Sequence, residues 1–351
     1  MTNKLHFGVS VGIDRYPEFP DLSFARDDAV AFADWMKKDG GGGIPKENVE
    51  LVVASDLEMA DDTPRRKAVP VRTTVYEAIQ AFWEVVRSHV EEEPEDWPET
   101  RLYVYVSGHG IGPSTKDSAL LLANAGPRNF GENISCFELV KHLGEAQYFA
   151  EVVIFADCCR DRVTNAPLGK PPWTLEDRDF GEVNTALGVA ADYGGKAYEP
   201  DADEVEDPDE YRGHFTRALL EGLDGQGANG EINTQTLASY VDERVKELLK
   251  PKRKSQKCHI YADSTNPIVF GIKAASGLQF KIVFESDYHG EAVLLDGDTN
   301  EVKRRQIDGN GSQWPLSLNK GLYRVVTPDG SGANFKRDGY FSVVGGEDVV
   351  L

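Results

Sequence analysis

Up to about residue 270, short apolar runs typical of buried strands alternate with longer segments whose apolar residues fall at helical spacing. The strand-like runs lie at 5–12, 49–54, 102–106, 118–123, 152–155, 185–191 and 257–262. The helical patterns lie at 23–38, 74–93, 135–147, 215–223 and 236–249. Strands that alternate with amphipathic helices predict an α/β fold with a mostly parallel sheet, covered by helices on both faces.

The last part of the chain follows a different pattern, in which short runs of strand type are separated by Asp-Gly and Asn-Gly turns. These runs lie at 278–284, 291–295, 313–317, 323–327, 340–344 and 349–351. The pattern predicts a small all-β, sandwich-like domain at 274–351, after an α/β domain at 1–273. The β domain's aromatic residues suit a core as well as a ligand or sugar platform, and they are Trp314, Tyr323, Phe335 and Tyr340.

The chain is strongly acidic, with 38 basic and 59 acidic residues and a net charge of −21. This charge repels phosphate backbones, so direct binding of nucleic acid is not expected. It would attract basic protein partners, although solubility alone also accounts for acidity. No apolar run approaches a membrane span, and the N-terminus resembles a buried strand more than a signal peptide. The 4 cysteines make no disulfide framework, so we expect a reducing, cytoplasmic location.

Two of the predicted strands run directly into residues that can react. Run 102–106 leads into a Ser-Gly-His-Gly turn at His109, and run 152–155 leads into Asp-Cys-Cys-Arg. Ligands of parallel sheets bind beyond the carboxyl ends of the strands, where a thiol nucleophile and an imidazole base would meet. The backbone amides of Gly110 and Cys159 would then form an oxyanion hole. No third, orienting residue is evident.

Each motif also has a plainer interpretation. A Gly-His-Gly alone is commonly a turn, and a Cys-Cys alone is commonly core packing. A zinc site from Cys158, Cys159 and His109 is disfavoured, because adjacent cysteines lack the usual spacer between ligands. The two motifs together favour catalysis, but they leave open which cysteine is the nucleophile.

The Asp157–Arg160 stretch resembles the nucleophile element of caspase-like cysteine peptidases, especially bacterial metacaspase relatives, and His109 matches their Ser-Gly-His-Gly motif. The resemblance extends over much of residues 5–270. It includes 9–16, 22–29, 197–199 and 213–222, and it leaves out the β domain. It implies a caspase-like fold with Cys159 as nucleophile, Cys158 as a packing residue and His109 as base.

In metacaspase-type enzymes, two acids line the pocket for the residue before the cut, and the matching positions are Asp28 and Asp157. Two carboxylates favour a cationic side chain, and Arg pairs with them bidentately. The resemblance therefore implies cleavage of proteins after Arg, then Lys. Alternatively, Asp28 is a charge in a helix's first turn and Asp157 caps a turn.

The resemblance also implies that proteolytic processing could activate the chain. The irregular stretch 160–182 matches the family's processed linker. Within it, Arg162 and Arg178 are the candidate sites, because Lys170 precedes a proline. The acidic segment 199–210 is expected to be solvated and mobile. It could also bind Ca²⁺ as an activator, as metacaspases often do, although no EF-hand spacing is present and the chemistry itself needs no cofactor or metal.

Arginines occupy positions 160 and 162 here, whereas many bacterial relatives have other residues at these positions. The arginines could lower the pKa of the nucleophile, serve as cut sites, or pair with nearby acids. Bacterial relatives are often zymogens triggered by another protein or protease in stress, cell-death or antiphage pathways. The rival hypothesis is a non-catalytic caspase-like scaffold whose β domain binds a partner. The intact Cys159 and His109 pair argues against it.

Overall fold

The computed structural model describes residues 3–57, 62–176, 179–200, 212–228, 230–273, 278–297, 299–318, 321–343 and 348–351. The chain divides into two compact units, Met1–Ile272 and Lys273–Leu351. Two of the sequence predictions fall largely outside the described residues. These are the processing site at Arg178 and the acidic segment, of which only Glu199 and Pro200 are described.

The first unit is built from alternating strands and helices. Its strands, with the last ending at residue 273, are β1 (His6–Gly12), β2 (Val49–Val53), β3 (Arg101–Ser107), β4 (Gly110–Gly112), β5 (Ala119–Leu121), β6 (Asn133–Ser135), β7 (Glu151–Asp157), β8 (Asp161–Arg162), β9 (Asn184–Val189), β10 (Gly230–Asn233), β11 (His259–Ala262) and β12 (Val269–Lys273). Its α-helices are α1 (Ala25–Lys37), α2 (Arg72–Glu92), α3 (Cys136–Ala146), α4 (His214–Leu223) and α5 (Thr234–Leu249).

Six strands form the central sheet in the order β11-β9-β7-β3-β1-β2. All neighbouring pairs are parallel except β11 with β9, which is antiparallel. The mostly parallel sheet predicted from the sequence is thus confirmed. The short strands β6, β5, β4 and β8 make a second sheet, and β10 pairs with β12.

Apolar side chains cover the central sheet on both faces. Alternate residues of β3 belong to different cores: Leu102 and Val104 pack with α2 and α3, whereas Tyr103 and Tyr105 pack with α1, α4 and α5. This two-sided burial explains why β3 is a continuous apolar run in the sequence. The register pairs Ser107 of β3 with Asp157 of β7, so both strands end at the same level.

Apart from a short 3₁₀ helix at Lys336–Gly339, the regular elements described in the second unit are β strands: β13 (Leu278–Val283), β14 (His289–Leu295), β15 (Glu301–Asp308), β16 (Gln313–Leu318), β17 (Gly321–Val326), β18 (Tyr340–Val343) and β19 (Val349–Val350). They form two sheets, β16-β13-β19 and β15-β14-β17-β18. Trp314, Tyr323 and Phe335 lie in its buried core, whereas Tyr340 is exposed. Three of these four aromatic residues therefore belong to the core. Among the helices of the described ranges, none is long and apolar enough to cross a membrane.

Candidate active site

A pocket lies where β3 and β7 end, and it contains four of the predicted site residues: Asp28, His109, Asp157 and Cys159. Its other lining residues are Leu22, Ser107, Gly108, Cys158, Ala197, Tyr198, Glu199 and Gly213. The level ends of two neighbouring parallel strands bring the histidine and cysteine segments to one place. Two other predicted residues, the oxyanion donor Gly110 and the processing site Arg162, are not among the lining residues.

The imidazole of His109 is oriented by a backbone carbonyl. Its Nε2 lies 2.7 Å from the Pro20 carbonyl oxygen, and since a carbonyl only accepts, Nε2 carries the proton. This leaves Nδ1 with a free electron pair, as a general base requires. Burial lowers the pKa of His109, which favours the neutral ring. The orienting group missing from the sequence motifs is therefore a main-chain oxygen, and this type of group leaves no side-chain signature.

The two cysteines have different surroundings. Cys158 is buried, and its Sγ lies 3.2 Å from the Ser118 hydroxyl. Cys159 is partly exposed, and its thiol points towards the Ala197 carbonyl at 3.6 Å. This contrast favours Cys159 as the thiol that meets a substrate. Burial raises the pKa of Cys159 above its usual value, so the thiol keeps its proton in the empty pocket.

The backbone of Gly110 packs directly on the paired cysteines. A Cβ atom at this position would lie 2.6 Å from the Cys158 Sγ and 2.6 Å from the Cys159 carbonyl oxygen. Both distances are too short for a side chain, and one of the two atoms belongs to the backbone. Glycine is therefore needed here so that the turn after His109 can approach the nucleophile segment, as the proposed oxyanion hole requires.

Asp28 and Asp157 are both buried in the pocket, with 1% and 7% exposure, and both carboxylates lie close to Gly213. Asp28 accepts hydrogen bonds from the Gly213 amide at 2.8 Å and the Ser107 hydroxyl at 3.1 Å. Asp157 accepts from the Thr216 amide at 3.2 Å and hydroxyl at 2.6 Å. Burial raises the pKa of Asp157 to about 6, and burial together with the charge of Asp157 raises the pKa of Asp28 well above its usual value.

Glu199 is a third pocket acid, which the sequence analysis missed. Backbone amides of Ser23 and Phe24, just before α1, donate to its carboxylate, and burial raises its pKa to about 7. The expectation of a solvated position is wrong at Glu199, because this first acid of the run folds back into the pocket. Its place directly after Ala197 and Tyr198, within a segment that matches the family, was the available signal.

Arg160, which follows Cys159, has a structural role. Arg160 is completely buried. Its guanidinium donates to the backbone carbonyls of Ser114, Thr115, Asp117 and Ala191. The idea that the two arginines lower the pKa of Cys159 needs correction, since Lys196 is the cation that opposes the effect of burial there. Lys196 pairs with Asp161 at 2.5 Å on the pocket rim.

Arg162 lies in β8, which pairs with β4, and its guanidinium sits 5.0 Å from the centre of the Tyr193 ring. Parts of the stretch that follows are packed against the body of the unit. Trp173 contacts the ring of Tyr76, and the Gly169 carbonyl accepts from the Tyr76 hydroxyl. A protease would have to release β8 to reach the bond after Arg162. Within the described ranges, no His, Cys, Asp and Glu side chains are grouped so that they could hold a metal ion.

No protein-family model matches the chain. A protein from a Desulfuromonadales bacterium, described as a probable protease, is 26% identical over 239 residues, which cover 63% of this chain. The chain spans 26% of the length of that relative.

Two solved structures are similar in chain arrangement, each at 13% sequence identity. Caspase-1 from Spodoptera frugiperda overlaps with a TM-score of 0.44, covering 77% of this chain and 93% of that chain. A structural-genomics target from Geobacter sulfurreducens overlaps with a TM-score of 0.45, covering 74% of this chain and 95% of that one. Similarity at this level identifies no reaction.

Proposed function

We propose that the chain is a cysteine endopeptidase that cleaves proteins after Arg and, less efficiently, after Lys. One observation carries the proposal: a single pocket holds a partly exposed thiol, an imidazole with a fixed tautomer, two buried carboxylates and a third that is half-buried. The relative described as a probable protease supports the reaction class. The specificity rests on the carboxylates of Asp28, Asp157 and Glu199.

In the proposed reaction, Nδ1 of His109 takes the Cys159 proton as Sγ attacks the scissile carbonyl carbon. The amides of Gly110 and Cys159 stabilise the resulting oxyanion. When the C–N bond breaks, the imidazolium returns the proton to the leaving amine. A water molecule then attacks the acyl-enzyme with His109 again as base, which releases the acid and restores the thiol. Because burial disfavours both charged forms in the empty pocket, the proton moves during the attack rather than before it.

The carboxylate side of the pocket suits a guanidinium. No Lys or Arg is among the residues that line the described pocket, so the acids face one another without a cation. Burial raises the pKa of all three acids, and the charge of Asp157 adds to the rise for Asp28 and Glu199. A substrate Arg would supply the missing positive charge and up to five donors in a planar fork, whereas Lys supplies a point charge.

The test compares four fluorogenic peptides that differ only at the residue before the cut: Arg, Lys, citrulline and Asp. Arg should be cleaved fastest, and citrulline, with nearly the shape of Arg but no charge, should be cleaved much more slowly. Faster cleavage after Asp would overturn the specificity. A peptide acyloxymethyl ketone with Arg at that position should modify Cys159. No modification of the intact or trigger-exposed protein would favour the scaffold hypothesis instead.

The proposal includes control by a trigger in a cytoplasmic stress, cell-death or antiphage pathway, through processing at Arg162 or Arg178 or through Ca²⁺. Gel fragments of the wild type should be missing from Cys159→Ala protein, since self-processing needs the nucleophile. If both proteins give the same fragments, self-processing is wrong. A Ca²⁺ titration against a chelator tests the activator, and full activity in the chelator would remove it from the proposal.

A further inference from the structure

The turn that carries His109 contains an interrupted strand ladder. β4 and β5 pair antiparallel with Gly110 opposite Leu120, so the next opposed residues are His109 and Leu121. The Leu121 amide donates to the His109 carbonyl at 2.8 Å, which is half of the usual reciprocal pair. The other half is absent. Instead, the His109 amide donates to the Tyr16 hydroxyl at 3.0 Å, and that hydroxyl donates to the Leu121 carbonyl at 3.0 Å.

We propose that Tyr16 is the positioning residue for His109: its hydroxyl, inserted between the His109 amide and the Leu121 carbonyl, holds the ladder open and sets the direction of the imidazole. This inference rests on the proposed function for its catalytic consequence, but the geometry stands apart from it. The Tyr16 hydroxyl bonds to main-chain groups, the His109 amide and the Leu121 carbonyl, so it acts through the histidine backbone.

The surroundings of Tyr16 suit a fixed spacer. The side chain is only 5% exposed, and its ring centre lies 4.8 Å from that of the His109 imidazole. Burial raises the pKa of Tyr16, so the hydroxyl keeps the proton that it donates to Leu121. The loop that carries it is tied down, since the Tyr16 amide donates to the Asp21 carboxylate at 3.0 Å. The same loop supplies the Pro20 carbonyl that holds Nε2.

Gly108 provides the space for the hydroxyl. A Cβ atom at Gly108 would lie 2.7 Å from the Tyr16 hydroxyl oxygen and 2.9 Å from Leu120 Cδ1. The Ser-Gly-His-Gly turn therefore needs its first glycine for the tyrosine, just as it needs Gly110 for the cysteine segment. Gly108→Ala would push the hydroxyl out of the ladder without removing it.

Loss of the hydroxyl has two structural outcomes, and both disturb the histidine. If the backbone stays in place, a buried amide and a buried carbonyl lose their partner. If the ladder closes, the His109 amide moves to the Leu121 carbonyl and draws the imidazole away from the Pro20 carbonyl. Closure gives both groups a partner again, so we expect it to prevail, and the fixed tautomer and the aim of Nδ1 are then lost.

The experiment compares Tyr16→Phe with Tyr76→Phe in the full chain, using the arginyl fluorogenic peptide. Tyr76 is a matched control, since it is 2% exposed and also donates its hydroxyl to a carbonyl, that of Gly169 at 2.9 Å. We expect Tyr16→Phe to lower kcat about 100-fold, as an ångström-scale misplacement can, with KM within about twofold. Tyr76→Phe should keep the wild-type kcat. Equal kcat values for the two variants would overturn the inference.

A second readout separates the inference from the proposed function. ¹⁵N shifts of the His109 ring report its tautomer without any substrate, and Tyr16→Phe should lose the pure Nε2–H form that wild type and Tyr76→Phe keep. An unchanged ring spectrum would refute the positioning role even if the wild type proved inactive. An inactive, unlabelled wild type would refute the peptidase but not the inference. If Tyr16→Phe does not fold, as judged by its thermal unfolding, Gly108→Ala takes its place with the same expected results.

Discussion

The pocket holds two groups of residues, the proposed reacting pair (the reaction side) and the carboxylates (the specificity side), and their hydrogen-bonding partners are of opposite kinds. On the reaction side, His109 and Cys159 are held by acceptors, the carbonyls of Pro20 and Ala197. On the specificity side, the carboxylates of Asp28 and Asp157 are held by amide and hydroxyl donors. Burial acts on both sides in one direction, because it favours the neutral form of every group. Charge is therefore costly on both sides of the empty pocket, and we infer that a bound cationic substrate offsets this cost on the specificity side.

Mutations on the two sides should impair different kinetic constants. The reaction side should determine kcat, because its groups act on the bond being broken. The specificity side should determine mainly KM and the choice of substrate, because its groups hold a side chain that does not react.

The largest expected effect is a difference in activity between alanine variants of the two adjacent cysteines. Cys159→Ala removes the proposed nucleophile and should lower kcat by about 10⁴-fold or more. Cys158→Ala should keep activity within about threefold and lower stability by about 1 kcal/mol, since it removes only a buried thiol. Burst kinetics and thermal unfolding measure the two effects. Activity that survives in Cys159→Ala but not in Cys158→Ala would reverse the assignment of the nucleophile.

The next effect is confined to the specificity side. Asp157→Asn should cost about 2 kcal/mol of transition-state binding for an arginyl peptide, roughly 30-fold in kcat/KM, because one charge-assisted contact is lost. The citrulline peptide should be nearly unaffected. The empty protein should be as stable as wild type or more so above pH 7, since a buried like charge beside Asp28 is removed. Equal losses for both peptides would show that Asp157 supports the fold rather than selects the substrate.

Sequence patterns predicted the reaction side better than the specificity side, for a physical reason. His109 and Cys159 directly follow apolar strands, so a parallel sheet alone predicts that they meet. The carboxylate side depends on contacts between α1, the segment at Glu199 and the start of α4 at Gly213. No local period encodes those contacts, and only the family resemblance singled out Asp28.

Strand β15 of the second unit shows the same limit. The sequence pattern did not predict this strand, because Ile307 is its one buried residue and the others are exposed on both faces. Its residues therefore show no alternation of apolar and polar positions. Only its pairing with β14 makes it a strand. Pattern therefore reveals elements that bury a face, but not those held by backbone hydrogen bonds alone. The Tyr16 hydroxyl and the Pro20 carbonyl escape prediction for the same reason, since both act through main-chain groups.

A moderate effect should appear in the pH dependence of KM. Asp157 and Glu199, with pKa values raised to about 6 and about 7, must lose protons before a cation binds at full strength. KM for the arginyl peptide should therefore rise about tenfold as pH falls from 8 to 5.5. Glu199→Gln should remove the part of this rise near pH 7, and the citrulline peptide should show none of it. A KM that is flat over this range for the arginyl peptide would contradict charged recognition by these acids.

The smallest effect concerns the rim pair, Lys196 and Asp161. Its two members shift the pKa values of His109 and Cys159 in opposite directions. Lys196 lowers the pKa values of His109 and Cys159, and Asp161 raises both. Lys196→Met should move the acid limb of the kcat/KM profile to higher pH, because His109 then binds its proton more tightly. Asp161→Asn should move it to lower pH. Each shift should be only a few tenths of a pH unit, since the pair is about half exposed and solvent screens it. Shifts in the same direction for both variants would mean that the pair acts on the shape of the pocket rather than on its charge.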